Sequence, residues 1–127
     1  MDYRPATAAV LEYIARQYGA EPEYLWLRSP NCAAIRHGGG KKWFAALMLD
    51  MPGEKIGLPA AERADILNVK CDPRLLGSRI DGRHYLPGYH MNKEHWLTIV
   101  LDDALALEEA CALVDLSFAL TAERKKR

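Results

Sequence analysis

Residues 87–96 read PGYHMNKEHW. The Pro-Gly pair suits a tight turn. Histidine and asparagine side chains follow, and these can hydrogen-bond loop backbone that would otherwise go unpaired. The chain then settles into HWLTIVL, residues 95–101, whose β-branched and aromatic content predicts a strand. The stretch is therefore read as a corner that delivers the chain into a strand. Beyond it, Asp102 or Asp103 is placed to cap a final helix over residues 104–123, with Leu107, Cys111, Val114 and Phe118 as its apolar stripe. Before it, Asp72 and Pro73 form a capping residue and a first-turn proline, predicting a helix that runs to about residue 80. Asp81-Gly82 stops that helix, and residues 83–92 are expected to be loop.

Working further outward, Pro5 and Gly19 bracket a helix over residues 5–18, with Val10, Leu11, Ile14, Ala15 and Tyr18 on one face. The middle of the chain reads as strands at 24–27, 33–37 and 42–49, the last two joined by the Gly38-Gly39-Gly40 turn. Residues 50–64, with two prolines and two glycines, predict a long exposed loop with at most one helical turn, and residues 65–71 a further strand. The order is α, three or four mainly antiparallel strands, α, β, α. It predicts an α+β domain: one sheet with the two long terminal helices packed on one face.

The 127 residues make one domain, 1–127. Half are hydrophobic and 27% charged, a globular profile rather than a disordered one. No apolar run approaches the ~20 residues that span a membrane. The N-terminus lacks the pattern of a signal peptide, so a cytoplasmic location is expected. Cys32, Cys71 and Cys111 are scattered and odd in number, which excludes zinc-knuckle and thioredoxin spacings and predicts buried free thiols. Seventeen basic and seventeen acidic residues cancel. They are unevenly spread: Arg28, Arg36, Lys41 and Lys42 are the charges between residues 28 and 49, while Asp102, Asp103, Glu108, Glu109 and Asp115 are those between 101 and 115.

Three stretches are similar to the MmcQ/YjbR-like family of small bacterial proteins. GKKWFAAL (Gly40 to Leu47) resembles its K-x-F-A strand, and NVKCDP (Asn68 to Pro73) its strand-to-helix junction. LPGYHMNKEHWLTIVLDD, from Leu86, resembles its P-G-Y-H-M-N-K-x-H-W segment. Order and spacing agree over nearly the whole chain, although Trp43 before Phe44 and the length of the 50–64 loop depart from the pattern. The resemblance implies a frataxin-like (CyaY-like) arrangement. It also implies DNA binding through wing-like sheet elements, and it lends no enzymatic activity.

Arg36, His37, Lys41 and Lys42 flank the glycine turn, and a basic hairpin tip can lie against a phosphate backbone. Lys70, Arg74, Lys93 and His95 would add a second basic edge, with Tyr89 and Trp96 available for base stacking. The expectation is a non-enzymatic DNA-binding or regulatory protein contacting phosphates through Arg36, Lys41, Lys42, Lys70, Arg74 and Lys93. With no net charge, that binding should be weak and salt-dependent. The alternative is a small-molecule or peptide binding module, or an enzyme, with a cleft at Tyr89, His90, Asn92 and Trp96, lined in part by Lys70. A third reading makes the corner purely structural, with Trp43, Phe44 and Trp96 as core aromatics. No catalytic residue, cofactor or metal site is expected. His90 and His95 would sit ~140° apart on a helix and on opposite faces of a strand, and no spacing pairs His90 with Cys71 or Asp72 as base and nucleophile.

Overall fold

The computed structural model describes residues 2–38 and 42–122. The rest of the expected glycine turn, Lys41 with it, and the basic tail at 124–127 lie outside the described residues. Helix α1 (Pro5–Tyr18) starts on its proline and ends where Gly19, at φ +65°, takes the left-handed conformation that closes a helix and donates its N–H to Ala15 O. Val10, Leu11 and Ile14 are buried, as their spacing requires. Strands β1 (Cys32–Arg36), β2 (Trp43–Pro52), β3 (Arg63–Lys70), β4 (Tyr85–Pro87) and β5 (Trp96–Leu101) form one antiparallel sheet in the order β1-β2-β3-β5-β4. Between them come a single helical turn, α2 (Gly53–Ile56), and α3 (Pro73–Arg79), which Asp72 caps by accepting from the Arg74 N–H. The chain closes with α4 (Leu107–Thr121).

Successive residues of a strand face opposite sides, so the sheet has two distinct surfaces. Ala33, Ile35, Ala45, Leu47, Leu67, Val69, Leu97 and Ile99 form the main core with α1 and α4. A bulge where Arg36 pairs Trp43 and Ile35 pairs Ala45 turns Phe44 onto that same side. There Phe44 meets Tyr18, Phe118 and His37 edge-on. Beside the bulge, Ser117 of α4 donates to Phe44 O (2.5 Å) and accepts from the Lys70 N–H (2.8 Å). One buried hydroxyl thereby joins β2 to β3 where the ladder stops.

The opposite face carries a second, smaller core. Met51, Ile56, Leu58, Ala64, Ile66, Leu86 and Val100 are buried there. Residues 50–64 are therefore not the exposed loop their prolines and glycines suggest. β2 runs through Met51, and α2 folds back over the sheet. Other expectations are corrected as well, among them the loop over residues 83–92, which contains β4. Residues 24–27 form no strand: only Glu23 bridges to Ala34, donating to its carbonyl and accepting from its N–H, and leaves Leu25, Trp26 and Leu27 exposed. In α4 the buried face is Ala110, Leu113, Val114, Ser117 and Thr121; of the expected stripe Val114 is buried and Phe118 packs on the core, while Leu107 is exposed and Cys111 half-buried. Its N-cap is Ala106, while Asp102 instead caps the preceding turn through the Ala104 N–H.

Candidate functional site

The PGYHMNKEHW corner lies on the sheet face away from the long helices, and a small polar ring pins it there. Asn68 of β3 and Thr98 of β5 are cross-strand partners, both fully buried on that face. The Thr98 hydroxyl donates to Asn68 Oδ1, Asn68 Nδ2 donates to Tyr89 O (3.1 Å), and the Tyr89 N–H donates to Thr98 Oγ1 (2.8 Å). Each buried polar group thus finds its partner in the next. Gly88 passes so close to β5 that a Cβ would lie 2.8 Å from Trp96 O, so the turn needs a residue without a side chain. Asn92 completes the loop by accepting from the Glu94 N–H, while Lys93 Nζ donates to Gly88 O (3.1 Å).

Held this way, His90 and Met91 overhang β1 and β2. Together with Trp26, Ser29, Cys32 and Trp43 they line an open cleft of about 290 Å³. Trp26 and Trp43 meet edge to face, ring centroids 5.3 Å apart. None of the lining side chains carries a fixed charge. His90 adopts φ +58°, a left-handed conformation that costs a residue with a Cβ roughly 1 kcal/mol or more. Its ring packs on Tyr89 at 4.1 Å, and neither ring nitrogen has a protein hydrogen-bond partner among the described residues. Burial pushes the Cys32 thiol up, and its contact is Asn31 Oδ1 at 3.7 Å, so it has neither the base nor the low pKa of a nucleophile. Cys71 is buried and Cys111 half-buried; all three thiols are free.

Of the four expected cleft residues, only His90 lines this space. Tyr89 packs on the smaller core, Asn92 braces its own turn, and Trp96 pairs with Lys70 at the strand end without lining the cleft. Lys70 does not line it either. The two tryptophan walls were missed as a site. One signal was present: Trp43 and Phe44 are adjacent in a strand, so both could not face the helices in a regular strand.

The expected basic edge is dispersed. Arg36 makes a two-pronged bond to Glu23 (2.9 and 2.5 Å), which holds the Glu23 carboxyl below its ordinary range. Arg74 is turned onto its own cap, Asp72 (2.9 Å). His37 joins the aromatic core against Phe118, with Nε2 and Thr121 Oγ1 at 2.7 Å. Lys41 lies outside the described residues, and Lys42 is exposed. Among the described residues no three His, Cys, Asp or Glu side chains gather as metal ligands do, and no helix is long and apolar enough to cross a membrane.

Fold and cleft together define an α+β domain with one antiparallel sheet, backed by the long helices on one side and carrying the smaller core, the corner and the cleft on the other. A sequence model of the YjbR family matches residues 15–120, and the chain belongs to that family. It is 41% identical over 112 residues to YyaQ, an uncharacterised protein of Bacillus subtilis, covering 88% of this chain and 94% of that one. A crystal structure of a Pseudomonas syringae protein superposes with a TM-score of 0.83 at 38% identity, over 91% of this chain and 97% of the other. A Deinococcus radiodurans structure at 18% identity and TM-score 0.68, over 90% of this chain and 76% of the other, shares the fold.

Proposed function

We propose that the protein is a non-enzymatic binding module whose site is the cleft between Trp26, Trp43 and His90. The observation that carries this reading is the loop itself. A buried polar ring and a glycine without room for a Cβ hold His90 in a strained conformation at the rim of an uncharged cavity. Backbone strain held in place by its surroundings clusters at ligand clamps and active sites, and here the strained residue lines a cavity. A volume near 290 Å³ sits at the lower end of the roughly 300–1,000 Å³ typical of ligand pockets, which favours a small ligand.

DNA binding is the second reading. Its support is positional: Lys42 is exposed, and Lys70 and Trp96 are paired at the same end of the sheet as Arg36 and Trp43. The ion pairs on Arg36 and Arg74 count against it, because phosphate would have to displace an existing carboxylate partner. Three free thiols are the support for a reducing, cytoplasmic setting. Terminal helices backing one antiparallel sheet are the support for a frataxin-like kinship of the fold.

One experiment separates the two readings. A ¹⁵N-labelled sample is titrated with a set of small neutral fragments and, separately, with duplex DNA at two salt concentrations. The cleft reading expects fragments to move the amides of Ser29, His90 and Met91 and the indole N–H signals of Trp26 and Trp43. The DNA reading expects duplex to move Lys42, Lys70 and Lys93 in a salt-dependent way. Fragments that leave the cleft signals untouched overturn the first reading; an unchanged spectrum with DNA at low salt overturns the second.

A further inference from the structure

Resting on the cleft reading above, we infer that the ligand is a neutral, planar aromatic molecule of one or two fused rings, bearing a hydrogen-bonding group at one edge. Four observations converge on that chemistry. The walls are two indoles at 70°, so a flat ring set in their corner can stack on the face of one and point its edge at the face of the other, the arrangements aromatic pairs prefer. Met48 and Met91 also line the space, and thioether sulfur makes favourable contacts with aromatic rings. No fixed charge lines the space, so an ionic ligand would give up water for nothing in return. Among the polar groups at the cleft, the Ser29 hydroxyl and the His90 ring are each without a protein hydrogen-bond partner for the side chain among the described residues. A ligand with one polar edge satisfies them while its ring stays among the tryptophans.

Size agrees. At about 290 Å³ the cavity holds a one- or two-ring molecule and is small for a flavin or a nucleotide carrying its sugar and phosphates. A nucleotide also fails on charge.

The test compares three probes of nearly equal size: 2-naphthol, its saturated counterpart decahydro-2-naphthol, and naphthalene-2-sulfonate. Binding is followed through the Trp26 and Trp43 indole N–H signals in ¹H–¹⁵N spectra. The inference expects 2-naphthol to bind at least tenfold more tightly than either comparator. Trp43→Leu should erase that preference by weakening 2-naphthol about tenfold while leaving decahydro-2-naphthol unchanged. Trp26→Leu, at a residue 37% exposed, repeats the test should Trp43→Leu fail to fold. Decahydro-2-naphthol binding as well as 2-naphthol overturns the aromatic assignment but leaves the cleft standing, as a seat for an aliphatic group. Equal binding of the sulfonate overturns neutrality. If none of the three moves the cleft signals, the inference and the cleft reading fall together.

Discussion

At the scale of single residues, the corner is governed by side chains outside it. Asn68 lies mid-strand and looks unremarkable in the sequence, yet it is fully buried and ties the Tyr89 carbonyl to the sheet. Replacing it with alanine strands that carbonyl and leaves Thr98 Oγ1 without its acceptor. We expect Asn68→Ala to cost about 2–3 kcal/mol in urea unfolding and to broaden the amide signals of residues 88–91 before the rest of the spectrum. Loss of stability with those signals unchanged would show that the ring does not hold the corner. At this scale the sequence was only half legible. The pairing of Pro-Gly with His and Asn announced a braced turn, and His90 does reach the cleft. Tyr89 and Asn92 were read as site residues because they can donate, accept and stack. The structural reading of the corner already had Asn92 bracing loop backbone, and the structure sides with it for both residues: Tyr89 packs on the smaller core and Asn92 holds its own loop.

Among the elements, local signals worked where they were chemically strong. Pro5 with Gly19 bracketed α1, and Asp72-Pro73 placed the start of α3, because each supplies a specific terminal hydrogen bond or backbone angle. They failed where tertiary contacts decide. Residues 24–27 have strand-like composition but donate no ladder, since Glu23 alone reaches β1. The stripe of α4 was only partly placed: Val114 and Phe118 face the core, but two of the buried positions are Ser117 and Thr121, which an apolar count passes over. Ser117 shows why a polar residue belongs there: it completes the β2–β3 connection at the bulge that a backbone pair does not make. Ser117→Ala leaves the Lys70 N–H and the Phe44 carbonyl without that partner, and a loss of about 1–3 kcal/mol is expected in chemical denaturation. A change below a few tenths would mean that water replaces the hydroxyl.

For the whole molecule, the α+β order and the helix-backed sheet were legible from helical spacing, caps and strand-forming runs. The second core was not, because proline and glycine at 50–64 signal turns without saying what the turns cover. The two long helices meet through Asp115, which accepts from the Tyr13 hydroxyl (2.8 and 2.7 Å) and from Tyr18. The Asp115 bond and burial push the Tyr13 hydroxyl up to about 12, and burial with the same bond pushes Tyr18 higher still. The unfolded chain gives up these protons near 10, so between 10 and 12 unfolding releases protons that the folded protein keeps. The stabilisation is complete below the lower value and is lost as pH rises through the upper one. Urea midpoints should therefore fall from about pH 10 upward, and the fall should be shallower in a Tyr13→Phe, Tyr18→Phe variant. An identical alkaline slope in that variant would place the cause elsewhere.

The sheet's two margins have a consequence of their own. On β1, Glu23 already occupies both the N–H and the carbonyl of Ala34, and at the far side β4 is three residues long and ends in Pro87. A neighbouring chain finds little backbone to zip onto at either border. The described borders of the sheet therefore offer little purchase for an added strand, the route by which sheets grow into stacked fibrils.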